Sequence, residues 1–132
     1  MTVLDTSGLV DFLLGDESQA AVAQLLRDEG RVGAPELVVF EVIAVLRRQV
    51  LRGDLEAQRA AGAIEDLGDF PVDLYPALPL RQPVWELRAN LTAADAIFVA
   101  LAEQLEEPLA TKDRHLAAAA RTHTGAAVIE LV

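Results

Sequence analysis

Most of the 21 acidic residues in this chain sit among other polar residues, as in RDEG or IEDLGD, and a solvated face accounts for them. Four do not. Asp5 ends the short apolar run TVLD and is followed at once by Thr6 and Ser7. Glu41 lies inside LVVFEVIAVL, where helical spacing puts Leu37, Val38, Ala44 and Val45 three and four residues away, so it points along an apolar stripe. Asp95, in LTAADAIFVALA, shares a helix face with Leu91, Phe98 and Val99, and Asp113 follows PLATK. A lone carboxylate buried on such a face costs several kcal/mol or is driven to protonate. Glu41 in particular calls for a compensating partner.

Each acid also has a plain structural account. Asp5 and Asp113 have the type and position of helix N-caps, and Thr92-x-x-Asp95 fits a capping box ahead of an apolar run. Glu41 lies too far inside its helix to cap it, so its structural account is a buried pair with an Arg or a hydroxyl. Taken together, the four point to one site. Like charges in a small crevice raise one another's pKa unless a cation is present, and a hard ion such as Mg²⁺ or Mn²⁺ prefers carboxylate and water ligands. A site of that kind positions water against a phosphodiester and stabilises the leaving oxygen. Thr6, Ser7 and Thr111 are placed to hydrogen-bond the carboxylates or a metal-bound water, or else simply serve as turn and cap residues.

The elements that must position these residues alternate along the chain. TVLD is followed by helical SGLVDFLL and SQAAVAQLLRDE, then by RVGAP and the long ELVVFEVIAVLRRQVLR. DLEAQRAAGAIEDL leads to PVDLY, a short helix around PVWELRA, TAADAIFVALAEQLE, PLAT, DRHLAAAARTH and AAVIELV. Strand-like pieces separated by helices favour a parallel sheet covered on both faces. The expected fold is α/β, a three-layer α/β/α sandwich with about five parallel strands, forming a single domain over residues 1–132. In such sheets ligands bind beyond the carboxyl ends of the strands, where strand order reverses. Asp5 and Asp113 both fall at strand ends, and the helices leading away from neighbouring strands bring Glu41 and Asp95 towards the same crevice.

Composition narrows the chemistry. The absence of cysteine removes disulfides, thiolate nucleophiles and Cys-ligated metals. No signal-peptide pattern or run of roughly 20 apolar residues is present, so a soluble, cytoplasmic protein without membrane association is expected. A formal charge of −10 argues against general adhesion to nucleic acid, but leaves room for a local basic lip. Ten of the 11 cations are Arg, and the exception is Lys112. Arg47, Arg48 and Arg52 form one cluster and Lys112, Arg114 and Arg121 another; solvated helix surface is the plain account of both. The two histidines, His115 and His123, lie in a late Arg- and Ala-rich helix and read as surface residues.

The ordered pieces VLDTSGLVDFLL, ELVVFEVIAVLRR, LTAADAIFVALAE and PLATKDRHLA span nearly the whole chain. Together they resemble a PIN-domain ribonuclease of the VapC type, the toxin of a bacterial toxin–antitoxin pair. The resemblance implies a PIN-like α/β/α sandwich with Asp5, Glu41, Asp95 and Asp113 as its catalytic and metal-binding acids. It further implies dependence on Mg²⁺ or Mn²⁺, a homodimer, a cognate VapB-like antitoxin, and structured RNA such as tRNA or rRNA as substrate. Arg47, Arg48 and Arg88 are the candidates for RNA or antitoxin contact. Three other readings compete: another metal-dependent phosphoesterase, a DNA nuclease, and a non-enzymatic regulatory domain whose acids only cap helices. A phosphoaspartyl enzyme would want a second Asp two residues after the first, where this chain has Ser7.

Overall fold

Val3 and Leu4 make up the whole of the first strand, β1, yet both are fully buried because parallel partners flank them on each side. The computed structural model describes residues 1–132. The other strands are β2 (Val32–Pro35), β3 (Val72–Tyr75), β4 (Leu109–Thr111) and β5 (Val128–Glu130). All pair in parallel in the order β3-β2-β1-β4-β5. The five-strand parallel sheet expected from the alternating pattern is therefore present, with β1 at its centre. From β1 the chain builds outward through β2 to β3, then crosses back to lay β4 on the other side of β1. The order of construction reverses between β1 and β4.

Seven α-helices cover the two faces. One layer holds α1 (Thr6–Leu14), α2 (Gln19–Glu29), α3 (Leu37–Leu51) and α4 (Ala57–Asp69), which pack on one another. The other holds α5 (Arg81–Glu86), preceded by a 3-10 turn at Leu78–Leu80, then α6 (Ala93–Leu105) and α7 (Arg114–His123). Residues Ala96 to Ala102 are all buried. An α-helix apolar around its whole circumference belongs in a core, and α6 accordingly lies across β1, β2 and β4. Helix α7 presents Ala117, Ala119 and Ala120 with Leu116 inward, and these small side chains let it approach β4 and β5 closely.

The junction of β1 with α1 is tight. A Cβ on Gly8 would stand 2.7 Å from both the Leu4 and the Leu131 side chains, so glycine there lets the first turn of α1 sit directly against the sheet and the C-terminal residues. That turn carries Asp5 to the carboxyl edge of the sheet. No helix is long and apolar enough to cross a membrane.

Candidate active site

The carboxyl ends of β1 and β4 open into a crevice of about 330 Å³ between the two helical layers. All four acids selected from the sequence line it, each carried by a different element. Asp5 follows β1, Glu41 lies on α3, Asp95 sits in the first turn of α6, and Asp113 leads into α7. Thr6 and Ser7 line the crevice as well, and Thr111 lies beneath it at the end of β4.

Asp5 is the anchor, with only 4% of its surface exposed. One carboxylate oxygen accepts the Gly8 N–H at 3.1 Å, capping α1, and the Ser7 hydroxyl at 2.8 Å. The other accepts the Thr111 hydroxyl at 2.5 Å. Thr111 in turn accepts the Asp113 N–H at 2.9 Å, so one hydroxyl ties the ends of β1 and β4 together. Asp113 uses Oδ1 to accept the Leu116 N–H at 3.1 Å, capping α7. At Asp95 half of a capping box forms: the Thr92 hydroxyl accepts the Asp95 N–H at 3.2 Å, without a return bond from the Thr92 N–H to the carboxylate. Capping and crevice lining thus coincide. Asp113, which caps with Oδ1 alone, keeps its other oxygen without a partner.

The electrostatics show how closely these groups crowd. Burial pushes the Asp5 carboxyl above its ordinary range; hydrogen bonds from Thr111, Gly8 and Ser7 oppose the shift, and the Asp113 charge adds to it. Asp95 is raised as well, first by burial and then by Asp113, with Thr92 and His115 opposing. Asp113 therefore disfavours ionisation at both neighbours. No three of these side chains converge into a ready-made coordination sphere. The acids surround the crevice rather than meet in it. Two further features fit a hard cation: the donor set is oxygen throughout, and the Thr6 hydroxyl is buried at the crevice without a hydrogen-bond partner.

Glu41 corrects an expectation. Its helical neighbours suggested a buried carboxylate in need of a partner, but it is half-buried and faces the crevice. Val38, Val42 and Leu46 carry the buried stripe of α3, while Glu41 and Val45 border the opening. No compensating Arg or hydroxyl is found, because water reaches the group.

The cations fall in three different places. Arg48 lines the crevice together with Gln49. Arg47 borders a separate apolar groove between α3 and α4, beside Ile43, Val50 and Ile64. Arg88 lies over the Trp85 ring at 4.6 Å and donates to the Trp85 carbonyl at 3.0 Å, away from the acids. Lys112, for which solvated helix surface was one account and a cationic patch the other, is half-buried in the crevice wall and donates to Asp11 Oδ1 at 2.9 Å. Asp11 is a residue that sequence reasoning passed over. It is 4% exposed and accepts the Ser18 N–H at 3.1 Å and the Ser18 hydroxyl at 2.8 Å on Oδ2. Burial alone would raise its carboxyl, but the bonds from Lys112 and Ser18 outweigh burial and hold it below the ordinary range. The signal was available: in GLVDFLL an acid interrupts an apolar run one turn after Ser7.

Known proteins share this architecture. The PIN domain family matches residues 2–122. Ribonuclease VapC1 of Mycobacterium tuberculosis is 40% identical over 118 residues, covering 89% of either chain. Ribonuclease VapC12 of the same organism is 39% identical over 132 residues, which is 100% of this chain and 99% of that one. The crystal structure of PAE2754 from Pyrobaculum aerophilum has the same fold, with a TM-score of 0.71 at 22% identity over 96% of this chain and 81% of the other. With a family match over nearly its full length and relatives this similar throughout, the chain belongs to the PIN-domain family, among the VapC-type ribonucleases.

Proposed function

We propose that this chain is a Mg²⁺- or Mn²⁺-dependent endoribonuclease, the toxin of a type II toxin–antitoxin pair, which cuts structured RNA such as tRNA or rRNA. One observation carries the reading. A buried Asp5, held by three hydrogen bond donors at the point where strand order reverses, shares one crevice with three further acids, a candidate ligand set of oxygens only. The names of the relatives, Ribonuclease VapC1 and VapC12, support the ribonuclease and toxin assignments.

In this reading Asp5, Asp95 and Asp113 hold the metal, with Glu41 completing the set. Bound there, the ion would supply charge stabilisation at the phosphate and a water of lowered pKa. The chain's own groups do the remaining work. Ser7 and Thr111 donate to the Asp5 carboxylate and fix its direction. Glu41, half-exposed at the mouth, is placed to accept the proton of an attacking water at its carboxylate. The acidic crevice also suits an antitoxin segment that presents Arg or Lys to the four carboxylates and competes with the metal.

Two measurements test this. Cleavage of a total RNA pool should require added Mg²⁺ or Mn²⁺ and stop in EDTA; undiminished cleavage in EDTA ends the metal assignment. Asp95→Glu should keep the wild-type melting temperature, since a capping box accepts Glu at that position. It should nevertheless lose about 100-fold in cleavage rate, because the added methylene displaces the carboxylate by roughly an ångström. Wild-type cleavage by a normally folded Asp95→Glu would remove Asp95 from the site.

A further inference from the structure

The crevice presents a polyanionic substrate with four carboxylates, so a ribonuclease working there needs a cation inside the same walls. Lys112 is the lysine of this chain and immediately precedes Asp113. An ammonium carries three donors. One is spent on Asp11 at 2.9 Å, and Nζ makes no other hydrogen bond or ion pair. Its side chain is 32% exposed, on the crevice wall.

The partner is itself immobilised. Asp11 is 4% exposed and Ser18 fully buried, and Ser18 gives both its N–H and its hydroxyl to Asp11 Oδ2, leaving Oδ1 for the lysine. Asp11 is therefore no spare metal ligand. Its oxygens are occupied, and it orients a cation contributed by a residue 101 positions away. Burying such a pair is weak evidence for a stabilising role, since hydrophobic replacements of buried ion pairs are often as stable.

On these grounds we propose that Lys112, seated by Asp11, binds an RNA phosphate beside the one that is cleaved. Arg48, exposed and without an ion-pair partner, lines the same crevice from α3 and gives the strand a second cationic contact. Asp11 is a positioning residue, acting on RNA only through Lys112. The inference rests on the ribonuclease reading and deepens it.

The test is steady-state cleavage of total tRNA in Mn²⁺ over a series of KCl concentrations, with tRNA binding followed by fluorescence anisotropy. Lys112→Met should raise KM by about 10-fold, the worth of one charge-assisted hydrogen bond, and leave kcat near wild type. The slope of log kcat/KM against log salt should become shallower by about 0.7 to 0.9, one phosphate contact. Lys112→Arg should restore most of the affinity. Asp11→Asn keeps an acceptor for Ser18 but loosens the lysine, and should raise KM by a smaller factor. Where Lys112→Met alone fails to fold, Asp11→Asn/Lys112→Met, which leaves no unpaired buried charge, carries the same measurement. An unchanged KM and salt slope, or a loss confined to kcat, overturns the role of Lys112 while the ribonuclease reading stands. Wild-type protein that neither binds nor cuts RNA overturns both.

Discussion

A carboxylate buried at the edge of a parallel sheet can cap a helix and line a site at once, and Asp5 caps α1 while it borders the crevice. Its hydrogen bonds from Gly8, Ser7 and Thr111 favour the ionised form, yet burial and Asp113 leave its pKa raised on balance. A carboxyl whose folded-state pKa exceeds its unfolded value is costly to ionise in the fold. That cost is present in full above the folded-state value, shrinks as pH falls through it, and vanishes below the ordinary carboxylate range, near pH 4. In EDTA, Asp5→Asn should therefore melt at or above wild type at pH 7, because the amide oxygen still accepts from Gly8 and the charge is gone. The gap should close as pH falls towards about 4. Asp5→Ala, which loses the cap as well, should melt below wild type. Melts in which both variants fall equally at neutral pH would mean that capping alone accounts for Asp5. Asp11 behaves in the opposite sense, since its pKa is lowered. Its contribution is present above the ordinary range and is lost only as pH falls below it, so the two effects occupy different windows.

At the scale of elements, the turn from β4 into α7 carries the most connections per residue. Thr111 is fully buried, accepts from the Asp113 N–H and donates to Asp5. Thr111→Val keeps the shape and removes the hydroxyl, leaving the Asp113 N–H unsatisfied and Asp5 Oδ2 with the Ser7 hydroxyl alone at 3.0 Å, and should cost about 1–3 kcal/mol in urea unfolding. Cleavage should fall as well, since Asp113 loses its tether to Asp5, whereas Thr111→Ser should retain both. A Thr111→Val protein with wild-type stability and cleavage would show that the two strand ends are aligned by other contacts. The sequence made these elements readable because strand and helix periodicities alternate cleanly. PVDLY contains β3 and PLAT contains β4. It also marked Asp5 and Asp113, because an acid at the end of an apolar run is conspicuous. The strand order was not readable: β1 pairs with β4 across more than 100 residues, and no local pattern encodes that. The partner of Lys112 was not readable for the same reason, being equally distant in the chain. Glu41 was misread for another. Helical spacing identifies which residues share a face but does not say whether a second element covers it, and α3 turns one edge of its apolar stripe to an open crevice.

For the molecule as a whole, the distribution of apolar surface is as informative as the acids. A chain of net charge −10 repels its own copies at long range, so association needs a concentrated apolar contact. Such a surface adjoins the mouth of the crevice. Leu37, Leu78, Val84 and Ile97 line a shallow groove of about 610 Å³ that ends at Glu41. Leu78 is 72% exposed there, and Phe40, one turn along α3 from Leu37, is 69% exposed. Trp85, on the neighbouring α5, adds a ring that is 61% exposed and stacked by Arg88. Clustered exposed side chains of this size mark an interaction site more often than scattered ones do. We expect a second copy of the chain to cover this face, giving a homodimer with a crevice beside each half of the interface. Sedimentation at tens of micromolar should give twice the monomer mass, and Leu78→Glu, at a largely exposed position, should return the monomer without lowering its melting temperature. A wild-type protein that sediments only as a monomer at those concentrations would leave the groove to a different partner.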